Sequence, residues 1–194
     1  MSGKRIVFCG VGALGSSALT LCRNVPADLV AIDFDRVESK NLLAQAFVKP
    51  SVGKNKAEAM KLQLQNFWSV KIESFGVRVG PENVEALLAK ADLVVDCFDN
   101  QKSREVLSTF ARARGIALVH AAISGDGTFG IVRWDERFTP DAEDHAGQAT
   151  CEGGEHLPLI GLVGAALART VQDWEKTGER RDSMIALRSV TATA

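Results

Sequence analysis

The sequence lacks several features that would place it in a functional class at once. Its four cysteines contain no C-x-x-C pair, which argues against a zinc knuckle or a disulfide framework. A formal net charge of -1 over 194 residues gives no positive field for nucleic acid. No apolar run approaches a membrane span, and the polar Ser2 to Arg5 runs directly into a predicted strand, leaving no room for a signal peptide. We therefore expect a cytoplasmic protein that binds neither nucleic acid nor membrane.

The composition that remains is that of a globular protein, 46% hydrophobic and 24% charged. A chain of this length can bury a full hydrophobic core within one domain, so no second domain is required. We expect a single domain over residues 1–194, in which Cys9, Cys22 and Cys97 are inert core thiols. Cys151 falls in an acidic stretch with no strand or helix pattern, and it is the one cysteine expected to be accessible.

A glycine turn follows the first predicted strand. Arg5 to Cys9 is a short run of β-branched and apolar residues, and Gly10, Gly12 and Gly15 follow at once with G-x-G-x-x-G spacing. In such a turn the first glycine allows a tight bend, the second lets phosphates approach the backbone, and the third lets the helix pack closely on the strand. The unpaired N–H groups at the start of the helix then face the phosphates. The pattern indicates a nucleotide site, although the same glycines occur in purely structural turns.

An acidic residue ends the second predicted strand. Asp33 follows Leu29 to Ile32 and lies where a carboxylate accepts hydrogen bonds from ribose hydroxyls, a position that suits NAD, FAD and ATP equally well. The polar stretch from Phe34 to Gly53 predicts a loop with short helical turns. Lys54 to Phe67 has helical spacing with basic residues in its first turn, where they oppose the helix dipole. Lys54 or Lys56 is therefore either an anion ligand or a solvated lysine.

Two polar residues, Asp99 and Asn100, lie just beyond the predicted strand Leu93 to Cys97. Because ligands of open parallel sheets lie outside the carboxyl ends of the strands, we expect Asp99 to share a site with Gly12 and Asp33. The other interpretation of Asp99 is the N-cap of a helix over Lys102 to Arg114, and the two roles are compatible.

The order of predicted elements favours an α/β fold of the Rossmann-like type, a mostly parallel sheet with helices on both faces. Antiparallel strands are expected near the C-terminus, at Thr128 to Trp134 and Met184 to Val190. Leu157 to Thr177 predicts a long helix with many small residues, buried or facing a dimer partner.

Five ordered motifs together resemble the signatures of the ThiF/MoeB/HesA family, the bacterial relatives of ubiquitin-activating enzymes. The motifs are Gly10 to Gly15, Asp33-Phe34-Asp35 leading to Asn41 to Gln45, Val52-Gly53 with Lys56, Asp96 to Asn100 with Arg104, and Thr150 to Gly154 followed by Pro158 to Gly161. They cover most of the chain at compatible spacings.

The resemblance implies an adenylyltransferase that uses ATP and Mg²⁺ to activate the C-terminal carboxylate of a ubiquitin-like or sulfur-carrier protein ending in Gly-Gly. It also implies a homodimer or a heterodimer of unequal halves. By motif match, backbone contacts to ATP come from the glycine turn with Ala13, ribose contacts from Asp33, and phosphate contacts from Asn41 and Lys56. Asp99 is the implied ligand of magnesium or organiser of the substrate carboxylate. The remaining residues expected around the nucleotide are Asp35, Gln45 and Asn100.

One departure from the family pattern lies at Ala44. Members of the family usually have the sequence Asn-Leu-x-Arg-Gln here, so the arginine that would bind the triphosphate is absent. Arg36, Lys40 or an arginine of a partner subunit would have to replace it. Cys151 is a candidate acceptor of the activated carboxyl group or of sulfur, because a cysteine in the corresponding segment of relatives can form a covalent link to the carrier; its other interpretation is an unreactive loop cysteine.

Two further functional classes remain open. A NAD-dependent oxidoreductase would use the glycine turn and Asp33 equally well but leaves Lys56 and Asp99 without a role. A nucleotide-binding scaffold, or the inactive half of a heterodimer, is favoured by Ala44.

Overall fold

A computed structural model describes residues 3–138 and 154–187, which form a seven-stranded sheet with the order β3-β2-β1-β4-β5-β6-β7. The first five strands are parallel, and β6 and β7 are antiparallel. The strands are β1 (Arg5–Cys9), β2 (Asp28–Ile32), β3 (Glu73–Phe75), β4 (Leu93–Asp96), β5 (Ala117–Ile123), β6 (Phe129–Trp134) and β7 (Ser183–Ala186). The predicted Rossmann-like sheet with antiparallel C-terminal strands is confirmed.

Five α-helices in the described part of the chain connect and cover the strands. They are α1 (Ala13–Leu21), α2 (Lys56–Trp68), α3 (Val84–Leu88), α4 (Gln101–Arg114) and α5 (Leu157–Thr177). Short 3₁₀ turns at Ser39–Leu42 and Lys49–Ser51 lie in the predicted loop after β2, and a third covers Asp135–Arg137. Within the two described ranges, no helix has both the length and the apolar composition that crossing a membrane requires.

The core lies on both faces of the sheet because successive side chains of a buried parallel strand point to opposite sides. In β1, Ile6 and Phe8 pack in the cluster that includes residues of α1, α2 and α5. Val7 and Cys9 point the other way, into the cluster that includes residues of α3 and α4. Helix α5 has the predicted boundaries and buries one of its faces.

The third strand is shorter than the predicted Val70 to Phe75. Helix α2 ends at Trp68, and its C-cap Ser69 has a left-handed conformation with φ 58°. The Val70 N–H then donates to the Leu64 carbonyl at 3.2 Å. The residues just after the helix therefore cap its last turn, and the strand begins only at Glu73.

A buried polar network joins β4, β5 and the 3₁₀ turn after β6. His120 Nδ1 lies 2.7 Å from Asp96 Oδ2, and His120 Nε2 lies 3.0 Å from Asp135 Oδ1. Ionised carboxylates only accept hydrogen bonds, so both contacts are satisfied together when both ring nitrogens carry a proton. The His120 ring also stacks on Phe138, with 4.0 Å between the ring centroids.

Helix α4 supplies further donors to this network. Arg112 donates to the Asp135 carboxylate through Nε and to its carbonyl through Nη2 at 3.0 Å, and the Ser108 hydroxyl donates to the same carboxylate. Burial alone would raise the pKa of Asp135, but the hydrogen bonds from Arg112, Ser108 and His120 outweigh it, so this pKa lies below its ordinary value. The ionised Asp135 therefore stabilises the fold.

We expect Asp135→Asn to lower the free energy of unfolding at pH 7 by about 1.5–3 kcal/mol, since it removes charge-assisted hydrogen bonds. The pKa of Asp135 is depressed on folding, so its contribution is complete above the unfolded-state pKa near 4 and is lost as the pH falls through the folded-state pKa. The difference between variant and parent should accordingly shrink below about pH 4. Thermal unfolding from pH 7 to pH 3 measures this.

Asp173→Asn is the matched control, because Asp173 forms an exposed pair with Arg169 on α5. An exposed pair of this kind contributes about 0.3–0.5 kcal/mol. An Asp135→Asn effect as small as that of the control, or one independent of pH, would contradict the structural role of the network.

Candidate functional site

The glycine turn between β1 and α1 lies against both neighbouring strands. The Gly10 N–H donates to the Ile32 carbonyl of β2 at 2.9 Å. A Cβ atom on Gly10 would lie 2.9 Å from the Cys97 carbonyl, so the turn also packs directly on the backbone that follows β4. Gly10 has φ +88°, a conformation that favours glycine. The turn therefore brings the ends of β1, β2 and β4 together.

Gly12 and Gly15 have opposite surroundings. A Cβ atom on Gly15 would lie 1.9 Å from the Gly10 carbonyl oxygen, so only glycine permits this approach of α1 to the strand. A Cβ atom on Gly12 would meet nothing within 4 Å. Gly12 thus borders open space at the start of α1, where Ala13 begins the helix and no acidic residue occupies the first turn. This space, beside the unpaired N–H groups of the helix terminus, is what the phosphates of a nucleotide require.

Asp33 stabilises the glycine turn through its carboxylate. Its Oδ2 accepts a hydrogen bond from the Val11 N–H at 2.7 Å, and its Oδ1 accepts one from the Asp35 N–H at 2.8 Å. Burial raises the pKa of Asp33, and these hydrogen bonds oppose that rise. Each carboxylate oxygen can accept a second hydrogen bond, so the predicted ribose contact is compatible with these hydrogen bonds to the backbone.

Asn55 is a site residue that the sequence analysis missed. Its Nδ2 donates to the carbonyls of Asp33 at 2.8 Å and Asp35 at 3.1 Å, while its Oδ1 accepts the Glu58 N–H at 3.2 Å as the N-cap of α2. One side chain therefore joins the helix start to the end of β2. The predicted helix begins at Lys54 and so includes Asn55, whereas the observed helix begins at Lys56; the available signal was the preference of asparagine for N-cap positions.

Lys56 and Asp35 form an ion pair at the start of α2. Lys56 is only 8% exposed, and its Nζ lies 3.2 Å from Asp35 Oδ2. The Lys56 N–H also donates to the Asp35 carbonyl at 2.8 Å. A cation at a helix N-terminus is unfavourable by itself, and Asp35 compensates for it. The Asp35 side chain is about half exposed whereas that of Lys56 is 10% exposed, so the carboxylate is the solvent-facing member of the pair.

The loop before α2 is fixed to the first turn of α1. The Ala46 N–H donates to the Ser16 hydroxyl oxygen at 2.9 Å. Asn41 is buried, its Oδ1 accepts the Glu38 N–H at 2.8 Å, and its carbonyl accepts the Gln45 N–H at 2.9 Å. Gln45 Oε1 is buried without a hydrogen-bond partner among the described residues. A ligand hydroxyl or amino group is the kind of donor that would satisfy it.

Ala44 is part of the apolar core of this loop. It is 9% exposed and packs in the same hydrophobic cluster as Phe47 and Leu14. The position therefore presents no cation to the site, and a longer side chain would have to leave the cluster to reach solvent.

The loop after β4 separates two roles that the sequence analysis left open for Asp99. Asn100 is the N-cap of α4, since its Oδ1 accepts the Ser103 N–H at 2.9 Å. Asp99 is exposed, so its carboxylate faces solvent next to the backbone on which the glycine turn packs. The alternative interpretation of Asp99 as the N-cap of this helix is wrong, because the cap is Asn100.

Arg104 holds this loop in place. Its guanidinium donates to the Phe98 carbonyl and, at 3.1 Å, to the Ala121 carbonyl of β5, and it lies 3.5 Å from the buried Asp96 carboxylate. Asp96 in turn accepts the Phe98 N–H at 3.0 Å. The backbone that carries Asp99 is therefore fixed from both sides.

Asp99 fits the binding of a magnesium ion that is carried in by a nucleotide. No group of three or more His, Cys, Asp or Glu side chains suited to a metal is present in the ranges that the structure describes. Mg²⁺ commonly uses one or two carboxylates together with substrate phosphates and water, and the exposed Asp99 at this edge of the sheet is suited to that mode.

The cysteines divide as expected where the structure describes them. Burial raises the pKa of the Cys22 thiol to about 12, and burial together with nearby Asp96 raises those of Cys9 and Cys97. These three thiols are therefore poor nucleophiles. Cys151, the predicted covalent acceptor, lies outside the described residues, and its role stays a prediction.

Comparison with known sequences identifies relatives over most of the chain. The model of the ThiF family matches residues 1–169. The chain is 31% identical over 179 residues to the adenylyltransferase and sulfurtransferase UBA4 of Lodderomyces elongisporus, covering 87% of this chain and 39% of that protein. It is 37% identical over 123 residues to the SAMP-activating enzyme E1 of Haloferax volcanii, covering 62% of this chain and 46% of that protein. The chain thus spans less than half the length of these curated relatives.

Solved structures share the fold. The structure of Escherichia coli MccB with ATP has a TM-score of 0.74 at 14% identity, covering 95% of this chain and 64% of that one. PaaA has a TM-score of 0.74 at 16% identity, covering 95% of this chain and 61% of that one. At such identities the similarity establishes the fold.

Substitutions at Gly12 and Gly15 are expected to affect different properties, ATP binding in the first case and stability in the second. We expect Gly12→Ala to fold normally but to weaken ATP binding, because the new methyl group occupies the open space beside the helix terminus. Gly15→Ala should instead destabilise the protein by about 3 kcal/mol or more, as overpacking against backbone does. Thermal unfolding and calorimetry with MgATP and with NAD measure both effects. Unchanged ATP binding in Gly12→Ala, or NAD binding without ATP binding in the parent, would contradict this interpretation of the site.

Proposed function

The chain belongs to the ThiF family, and on that premise we propose that it catalyses ATP-dependent adenylylation of a protein C-terminus. The proposed substrate is a ubiquitin-like or sulfur-carrier protein that ends in Gly-Gly. Its terminal carboxylate attacks the α-phosphorus of ATP, a P–O bond forms to the carboxylate, and the bond to the leaving pyrophosphate breaks.

The observation that carries this proposal is the packing of Gly10 against the Cys97 carbonyl. This contact places the phosphate-binding turn directly beside the loop that carries Asp99. Two anions must meet during adenylylation, so their repulsion has to be offset in a preorganised site. The contact brings an anion-binding helix terminus and an exposed carboxylate to one edge of the sheet.

The position of each site residue determines its proposed role in binding ATP and the attacking carboxylate. The N–H groups at Gly12 and Ala13 bind phosphate oxygens, and Asp33 orients the ribose. The Lys56 ammonium, already held by Asp35, neutralises phosphate charge. Asp99 would hold Mg²⁺ or orient the attacking carboxylate. When bound, the metal supplies positive charge that stabilises the departing pyrophosphate.

A second candidate function is favoured by Ala44. Since this position is buried and apolar, the chain is alternatively a nucleotide-binding partner subunit with impaired catalysis. In that case an arginine supplied by another subunit, in a homodimer or a heterodimer, completes the active site.

Pyrophosphate exchange with candidate Gly-Gly-ended proteins tests the proposed activity. We expect Asp99→Ala to abolish exchange and Lys56→Ala to weaken ATP binding roughly tenfold to a hundredfold, since a charge-assisted hydrogen bond contributes about 1.5–3 kcal/mol. Lys61→Ala, which removes a half-exposed lysine from the same helix, is the control and should behave as the parent does. Equal exchange rates in all three variants would remove Asp99 and Lys56 from the mechanism.

Ala44→Arg tests the missing cation. We expect the variant to exchange pyrophosphate faster than the parent, because a guanidinium at the triphosphate stabilises charge on the leaving group. Ala44→Met has similar length without the charge and should give no gain. Failure of Ala44→Arg to increase the rate, together with no ATP binding by the parent, would favour the partner-subunit function.

A further inference from the structure

A histidine side chain lies fully buried between two carboxylates beside the end of β4. His120 is in β5, directly opposite Asp96 of β4, and its side chain is 0% exposed. Its Nδ1 lies 2.7 Å from Asp96 Oδ2, and its Nε2 lies 3.0 Å from Asp135 Oδ1. Ionised carboxylates only accept hydrogen bonds. The contact with Asp135 therefore needs a proton on Nε2, and the contact with Asp96 needs a second proton on Nδ1.

The surroundings of the imidazole favour this doubly protonated form. The ring of Phe138 lies over that of His120, with 4.0 Å between the centroids and 14° between the planes, and an aromatic face attracts a cation. Helix α4 directs Arg104 and Arg112 at the same two carboxylates, which favours their ionised forms. The imidazole is therefore enclosed by groups that suit a positive charge and two ring protons.

The route from His120 to Asp99 is short. Asp96 Oδ2 faces His120, and Asp96 Oδ1 accepts the Phe98 N–H at 3.0 Å. Asp99 is the next residue and is exposed, and within the part of the chain that the structure describes no group donates a hydrogen bond to its carboxylate. The position of Asp99 is therefore set by its backbone, which the Asp96 carboxylate holds through Phe98.

The His120 contact protects both groups that hold this backbone. Arg104 is the other donor close to Asp96 Oδ2, at 3.5 Å, and its guanidinium already donates to the Phe98 carbonyl and to a carbonyl of β5. Without the imidazole, the Asp96 carboxylate has to draw Arg104 away from these carbonyls or lack a partner inside the protein. Either outcome alters the backbone of the loop after β4.

We propose that His120 is a positioning residue for the adenylylation site, whose Nδ1–H fixes the Asp96 carboxylate and through it the backbone that carries Asp99. The inference rests on the proposed function, because Asp99 acts on the metal or on the attacking carboxylate only in that reaction. His120 itself touches no substrate. It affects the rate of adenylylation, whereas Gly12 and Lys56 determine the affinity for ATP.

Two measurements test this role: pyrophosphate exchange with a ubiquitin-like protein that ends in Gly-Gly, and calorimetry with ATP in the absence of magnesium. His120→Phe keeps a ring that can stack on Phe138 but removes both N–H groups. We expect it to lower the exchange rate roughly tenfold to a hundredfold, as a small misplacement of a reacting group does. Its affinity for metal-free ATP should stay within about twofold of the parent, because the helix terminus and Lys56 bind phosphate without Asp99.

Asp135→Asn is the matched control, because it weakens the same buried network and leaves the Nδ1 contact intact. In this variant the side-chain amide can donate to Nε2, so a neutral imidazole keeps its Nδ1–H on Asp96. The variant should therefore exchange pyrophosphate at close to the parent rate although it is less stable. ¹⁵N NMR of the His120 ring should show a proton on Nδ1 in the parent and in this variant. Melting temperatures give an assay temperature at which every variant is folded.

A double variant replaces His120→Phe if the single variant does not fold. His120→Phe/Asp135→Asn leaves one buried carboxylate, rather than two, without the imidazole. Compared with Asp135→Asn alone, it should show the same tenfold to hundredfold loss of exchange rate, roughly the cost of a misplaced reacting group.

Several results would overturn the positioning role in different ways. Exchange at the parent rate in His120→Phe, with Asp99→Ala inactive, would reject it and keep the proposed function. Equal losses of rate in His120→Phe and Asp135→Asn, or an unprotonated Nδ1 in the parent, would show that the Nδ1 contact does not position the loop. A loss of ATP affinity as large as the loss of rate would place the effect at the phosphates. A parent that binds ATP but exchanges no pyrophosphate would reject the proposed function and the positioning role with it.

Discussion

The site depends on the close backbone contact at Gly10. This residue hydrogen-bonds to β2 through Ile32, and it leaves no room for a Cβ atom against Cys97 beyond β4. Because these contacts are made by backbone, they cannot relax as a flexible side chain would. Asp33 then fixes the turn from the side by accepting the Val11 N–H. The positions of the helix terminus, the end of β2 and the Asp99 loop all follow from this contact.

The charges at this edge are already paired before any substrate binds. Lys56 is held by Asp35, and the buried carboxylate of Asp33 is held by backbone N–H groups. Charged groups that are already held in place need little reorganisation when a ligand binds, and the proposed function depends on such preorganisation. Asp99 differs from these groups because it is exposed.

The far half of the sheet supports the Asp99 loop. Arg104 links that loop to β5, and the Asp96–His120–Asp135 network ties β4 and β5 to the turn after β6. Buried charges are costly unless they are paired, and here each one has partners on more than one element. The loop is therefore positioned by interactions that run through the sheet on the side away from the glycine turn.

Local sequence determined the order of the elements, the glycine turn, the boundaries of α5 and the acidic residues at the strand ends, because short-range periodicity and glycine spacing encode them. Only the tertiary structure decided that Asn55 joins α2 to β2, that Asn100 rather than Asp99 caps α4, and that His120 lies between two carboxylates. Each of these contacts links residues on different segments or distinguishes neighbours with the same capping propensity, and local propensity contains no information about which partner a side chain meets.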